Sequence, residues 1–364
     1  MTGIPAFALR FAPLRLRFGE PAALAVAAEL EALDLSRAVV LGTPGHADAA
    51  RAFAAEVGAR VVGTVALARM HTPVEVTEEA LTQVLALDAD ALVSFGGGSV
   101  TGLGKALALR TDLLQIAVPT TYAGSEVTAI LGQTEAGLKT TITDPRVQPE
   151  VIVYDPRLIT GLPVQISVTS GLNAMAHAVE ALYARDRNPL TSTLALEGFR
   201  ALWTGLPQVA AKPADLAARS ATQYGAFLCG LVLGQVGMSL HHKLCHVLGG
   251  SFDLPHAEIH AVILPHAVAY NINAEGLEWI RDSQLYPDNL SVSEALQRFA
   301  RDLKAPMALR DLGMKEADLD RAADLAMQTP YWNPRPLERS VLRDLLGRAW
   351  AGLPPKEPPE KRHG

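Results

Sequence analysis

The stretch "ADALVSFGGGSVTGLGKALAL" (89–109) constrains this chain more than any other. Apolar residues suited to a buried strand run through three consecutive glycines straight into a helical pattern. A strand that turns directly into a helix belongs to the βαβ unit of a parallel sheet. The glycines let the backbone approach a ligand closely, and the helix N-terminus offers unpaired N–H groups and a positive dipole end. Gly96, Gly97, Gly98 and Ser99 are therefore candidates for holding a phosphate. Lys105, further into the helix, is a candidate for supporting the anion or a hydroxyl of the ligand. A turn that serves packing alone is the competing reading. The pattern is neither a Walker loop nor GxGxxG, so it does not name the nucleotide.

The flanking segments repeat the alternation. "AVVLGT" (38–43), "ARVVGTVA" (59–66), "LLQIAVPTT" (113–121) and "VIVYDP" (151–156) read as strands. Residues 47–58 and 77–88 have helical spacing, the second with Thr77 as its expected N-cap. The expected fold is an α/β doubly wound, Rossmann-like parallel sheet over residues 1–162. From residue 163 long Ala/Leu-rich helical segments take over, so residues 163–353 are expected to form an all-α domain. Residues 354–364, rich in Pro and charge, are expected to be a disordered tail. A length of 364 residues suits two domains, and the cleft between them is the default place for small-molecule chemistry. The loop "PTTYAGSEVT" (119–128) places Thr120, Thr121, Ser125 and Thr128 at the same carboxyl-end edge as the glycines, as further nucleotide or substrate contacts.

Several classes are disfavoured. The formal net charge is -6 and no Lys/Arg-rich run exists, which gives no electrostatic basis for nucleic-acid binding. No sustained h-region or 18-residue apolar window marks a secretion signal or membrane span. Cys229 and Cys245 are the only cysteines and form no CxxC, as expected of a reduced cytoplasmic protein.

The second half carries a histidine constellation. Seven of the ten histidines fall between His177 and His266, five of them in "HHKLCHVLGGSFDLPHAEIH" (241–260). His242 and His246 share a helix face, Gly249 and Gly250 are expected to break that helix, and a loop returns with His256 and then His260. His177 shares a face with Asn173 four residues earlier. Four histidines on converging faces point to a shared polar pocket. Zinc and ferrous sites normally add an anionic ligand to neutral imidazoles, whereas position 173 offers only an amide. A site of Asn173, His177, His242 and His256 is thus expected to bind metal weakly or not at all.

These residues resemble the iron-containing alcohol dehydrogenase family along nearly the whole chain. The family's metal pattern, Asp-x-x-x-His and then two histidines fourteen apart, falls on Asn173, His177, His242 and His256. Its phosphate loop falls on Gly96–Ser99, its lysine on Lys105, and a histidine near the nicotinamide on His246. Gly102 stands where the loop usually has aspartate, and Asn173 replaces the aspartate ligand. Both departures, with "PTTYAGSEVT", "SGLNAMAHAVEALYA" and "NPRP" (333–336), are similar to the branch that reduces a carbon–carbon double bond.

The resemblance implies NADH- or NADPH-dependent reduction of an unsaturated oxo-dicarboxylate in aromatic catabolism, without a required metal, by a homodimer. Conjugate reduction develops an enolate, which hydrogen-bond donors can stabilise and an imidazolium can protonate. His246 or His242 is the expected proton donor, Lys243 and Arg335 are candidate cations for the substrate, and Tyr122 is a candidate phenolic donor. The segment around Gly42 carries no carboxylate directly after the strand to repel a 2′-phosphate, so both nucleotides are expected to be accepted. A metal-dependent alcohol or glycerol-type dehydrogenase of the same family is the alternative.

Overall fold

Eight strands and thirteen α-helices lie among the described residues, which are 7, 9, 14–135, 138–328 and 331–358 of the computed structural model. The strands are β1 (Arg15–Phe18), β2 (Ala38–Leu41), β3 (Val61–Val65), β4 (Ala91–Gly96), β5 (Leu114–Pro119), β6 (Ile130–Glu135), β7 (Leu138–Thr143) and β8 (Val151–Tyr154). Between them run α1 (Ala22–Ala32), α2 (Ala47–Val57), α3 (Val74–Ala86) and α4 (Gly98–Thr111). After β8 come α5 (Val164–Leu182), α6 (Pro189–Ala211), α7 (Leu216–Leu233), α8 (Leu240–Phe252), α9 (His256–Tyr270), α10 (Glu278–Arg281), α11 (Val292–Asp302), α12 (Leu319–Met327) and α13 (Arg339–Ala351).

Strand alternation builds the first unit. Ala38 and Val40 of β2 pack with Ala91, Val93, Ile116, Val118 and helices α1 and α2, whereas Val39 and Leu41 turn to the opposite face with Leu92, Leu103 and Leu107. Both faces are covered, so the strands read as continuous apolar runs. The six-stranded sheet has the order β1-β8-β5-β4-β2-β3, with every pair parallel. The chain leaves β2 for β3 on one side, then returns to place β4 on the other. The order of the strands therefore reverses between β2 and β4, and open α/β sheets bind ligands at the carboxyl ends of such a switch point.

Sequence patterning did not mark three strands. β1 is an edge strand whose Arg15 and Arg17, two apart and so on one face, both reach the buried Glu29, at 2.9 and 2.7 Å. The antiparallel pair β6–β7 lies outside the main sheet. Thr77 is not the N-cap of its helix: α3 starts at Val74 after Pro73, and the Thr77 hydroxyl, one turn inside, donates back to the Pro73 carbonyl at 3.2 Å.

The chain divides into two compact units. One comprises Leu9–Leu162 and Pro213–Gln223, the other Pro163–Lys212 and the chain from Tyr224. Residues 213–223 thus group with the α/β unit, although their pattern is helical. The buried Arg219 ties them there, donating to the carbonyls of Pro213 (2.8 Å) and Leu162 (2.7 Å) and to the Tyr122 hydroxyl (3.3 Å).

In the helical unit α8, α9, α12 and α13 enclose one apolar core. α8 does not break at Gly249 and Gly250; it continues to Phe252 and stops at Asp253, which takes a left-handed φ of 52°. Gly249 faces α9, where an added Cβ would make only ordinary contact with Ile259 at 3.7 Å, and the apolar core that α8 shares with α9 offsets the helical cost of the glycines. Residues 354–358 are tied down: Pro354 accepts from Arg348 (2.8 Å), Lys356 pairs with Asp344 (3.2 Å) and Glu357 accepts from Ser293 (2.6 Å). The rest of the expected tail, 359–364, and most of the N-terminal stretch fall outside the described residues.

Candidate functional site

In the α/β unit the reversal of strand order sits between Gly42, just after β2, and the glycine loop, just after β4. Gly96 has a φ of 158°, and a Cβ there would lie 2.4 Å from Val100 Cγ2. A Cβ on Gly97 would meet Thr121 at 2.9 Å, and Gly98 opens α4. Thr120 N–H donates to the Gly96 carbonyl at 3.0 Å, so the two loops are joined. Ser125 Oγ, close to where a Cβ of Gly98 would stand, is buried and makes no hydrogen bond. An unpaired hydroxyl beside a helix N-terminus, in a cradle that side chains would fill, fits a bound phosphate. Ser99 is half-buried at the start of α4.

The remaining residues of this group act inside the protein. Lys105 is buried, and its ammonium donates to the carbonyls of Ser125 (2.6 Å), Thr128 (2.6 Å) and Ile130 (2.8 Å) and to Thr128 Oγ1 (3.0 Å). It shapes the 125–130 segment rather than facing a ligand. Burial pushes it down to about 7, opposed by the carboxylate of Glu126. Gly42 is a packing glycine, since a Cβ would lie 2.9 Å from that of Ala50. Tyr122, read above as a phenolic donor, is fully buried and accepts from Arg219. At Gly102 a Cβ would meet Thr72 Oγ1 at 2.4 Å, so the usual aspartate would require Thr72 to move.

The helical unit assembles the histidines. Three helices contribute: α5 carries Asn173 and His177, α8 carries His241, His242 and His246, and α9 carries His256 and His260. The His177 and His242 rings are 5.2 Å apart, His242 and His260 5.2 Å, His256 and His260 4.5 Å, and His242 and His246 6.3 Å. Asn173, His177, His242 and His260 are buried, His256 is half-buried, and His246 is exposed. Asn173 Oδ1, His177 Nδ1, His242 Nε2 and His260 Nε2 are buried without a hydrogen-bond partner in the chain. So many unpaired polar atoms in one cluster are rare in a folded core and mark a place built to meet a ligand. Burial, reinforced by neighbouring imidazoles, holds His177, His241 and His260 well below the ordinary histidine value, so all three are neutral.

The metal pattern fits poorly. Asn173 brings no charge, and among the described residues the trio whose donor atoms all lie within 4.8 Å is His241, Cys245 and His260, not the set at 177, 242 and 256. The trio is itself an internal network: His241 Nε2 bonds His260 Nδ1 at 2.9 Å and approaches Cys245 Sγ at 3.6 Å.

Two residues escaped the sequence reading. Glu180 is the only charged residue in the nineteen of α5, and its Oε2 bonds His242 Nδ1 at 2.7 Å. A lone carboxylate on an apolar helix was the available signal. Tyr331 lies under the Lys243 ammonium, which is 5.7 Å from its ring, and its hydroxyl is buried and unpaired. Lys243 is half-buried, and burial alone lowers its affinity for the proton, with no carboxylate countering it. It is a cation available to an anionic ligand beside the histidines. Arg335 has other immediate neighbours. It stacks on Tyr270 at 4.3 Å and lines a cavity of about 340 Å³ with His266, Asp344, Arg348 and Lys356. Tyr270 is ten residues past His260 on α9, about 15 Å along the axis.

Over the described residues no helix is long and apolar enough to cross a membrane. Two family models match the chain: "Iron-containing alcohol dehydrogenase" over residues 13–156 and "Fe-containing alcohol dehydrogenase family, C-terminal" over 167–350. A maleylacetate reductase of Rhizobium sp. strain MTP-10005 is 54% identical over 96% of this chain and 99% of its own length. Its crystal structure superposes with a TM-score of 0.91. A maleylacetate reductase from Agrobacterium tumefaciens, also a crystal structure, is 53% identical with a TM-score of 0.89, covering 97% of this chain and all of its own. The maleylacetate reductase of Burkholderia cepacia is 48% identical over 94% of this chain and 97% of its own. The chain belongs to the iron-containing alcohol dehydrogenase family.

Proposed function

We propose that this protein is a maleylacetate reductase, which reduces the carbon–carbon double bond of maleylacetate to give 3-oxoadipate. The observation that carries the reading is the histidine cluster beside Asn173, with buried, unpaired nitrogens on His177, His242 and His260, in a chain about half identical to enzymes of that name. NADH or NADPH supplies the hydride when bound. Gly96, Gly97, Gly98, Ser99 and Ser125 would hold its phosphates at the N-terminus of α4, and Thr120 and Thr121 lie on the loops joined to that cradle. No carboxylate directly follows β2, so both nucleotides are accepted.

Hydride addition to an enone leaves an enolate. Stabilising it calls for hydrogen-bond donors at the oxygen and a proton at the carbon, and a set of imidazoles supplies both without a Lewis acid. The substrate is a dianion, and Lys243 is the cation placed next to the cluster. His242, whose buried Nε2 is unpaired while Nδ1 bonds Glu180, is a better-placed proton donor than the exposed His246, delivering the Nε2 proton from its imidazolium form. Since the family's metal positions have an amide in place of the carboxylate, the enzyme works without metal. It is a cytoplasmic homodimer acting on a small dicarboxylate.

The deciding experiment follows NADH and NADPH oxidation with maleylacetate before and after exhaustive EDTA treatment, with metal analysis of both samples. Undiminished turnover in stripped enzyme is expected. Turnover abolished by chelation and restored by iron or zinc would favour a metal-dependent dehydrogenase instead.

A further inference from the structure

Glu180 is fully buried on α5, three residues after His177, and four donors converge on it. Oε1 accepts from His241 N–H at 2.8 Å and from the Tyr183 hydroxyl at 3.3 Å; Oε2 accepts from Ser239 N–H at 2.9 Å and meets His242 Nδ1 at 2.7 Å. Ser239 is the N-cap of α8, and its own side chain makes no capping bond. A carboxylate from another helix therefore does the capping, where orphan N–H groups and the dipole favour negative charge. A carboxylate only accepts, so the shared bond requires the hydrogen to sit on His242 Nδ1. Nε2, on the other side of the ring, is the nitrogen left without a partner.

We infer that Glu180 is a positioning residue for the reduction: it fixes the His242 ring and its tautomer, so that Nε2 is the one nitrogen presented to substrate. The two backbone bonds and the Tyr183 hydroxyl hold the carboxylate still, and the His242 bond transmits that fixity to the imidazole. The histidine and the N-terminus of its helix are thus held by one group. Carboxylate–histidine pairs of this kind set which ring nitrogen is available for chemistry. The inference rests on the reading of the histidine cluster as the substrate site.

Its test has an arm that needs no turnover. In histidine-selective ¹⁵N-labelled enzyme, at a pH where the His242 ring is neutral and with His242 assigned by its loss in His242→Asn, Nδ1 should give a protonated-type signal and Nε2 an unprotonated one. The reverse pattern would overturn the inference. In folded Glu180→Gln, the Nε2-protonated tautomer should appear and kcat should fall at least about tenfold, with KM for maleylacetate within about threefold. An unchanged kcat, or a fallen kcat with the His242 tautomer unaltered, would also overturn it, since a purely structural cap leaves the tautomer alone. Should Glu180→Gln not fold, the wild-type spectrum decides. A wild-type enzyme with no turnover on maleylacetate counts against the proposed substrate, not against the tautomer.

Discussion

At Asn173 one atom separates two chemistries. Its Oδ1 is buried and unpaired beside His177, and exchanging the amide for a carboxylate restores the family's metal pattern. Asn173→Asp should bind zinc at least about tenfold more tightly than the parent, as measured by metal retention after dialysis. In EDTA the same variant should be less stable by about 1–3 kcal/mol, because a buried charge lacks a partner, and zinc should reverse the loss in a thermal-shift assay. Lys105 shows the opposite case, a residue whose chemistry is spent internally. Lys105→Met strands three carbonyls that the buried ammonium holds and should cost about 2–4 kcal/mol in denaturant unfolding. A loss under about 0.5 kcal/mol would mean that water replaces the ammonium easily.

Among the elements, the turn from β4 into α4 decides nucleotide binding and the N-terminus of α8 decides the histidines. Gly97 approaches Thr121 so closely that a Cβ must displace the Thr121 side chain. Gly97→Val should weaken NADH binding at least about tenfold in a fluorescence titration while the far-UV spectrum stays native. The strand and helix were legible from their apolar runs and glycine punctuation, because those signals are local. Thr77 was misplaced because Pro73 already supplies an N-cap backbone four residues earlier. Helix α8 ran past its glycines because contact with α9, which local propensity does not contain, outweighs their cost.

For the whole molecule, the buried imidazoles set how acid acts. Burial, with Arg348 nearby, lowers His266 to about 4 from an ordinary 6.5. Between those values the unfolded chain binds a proton that the folded chain refuses, so stability is lost as pH falls from 6.5 towards 4. His177, His241 and His260 are displaced in the same direction and add to the loss. The melting temperature should therefore fall steeply below pH 6.5. In His266→Phe the pH slope should lessen by up to about 1.4 kcal/mol per unit within that window. An identical slope in the variant would show that His266 protonates without unfolding.

Much was already decided by residue order. Strand and helix periodicity required a parallel sheet followed by helices, and the glycine loop and the i,i+4 histidines could be listed as candidates, because each is a pattern within a few residues. Three-dimensional packing decided which candidates share a site. It closed Lys105 into the 125–130 segment, stacked Arg335 on Tyr270, left His246 exposed, and brought Glu180 onto His242 from sixty-two residues away. A buried carboxylate finds its partners across helices, and no local periodicity records which donors will meet it.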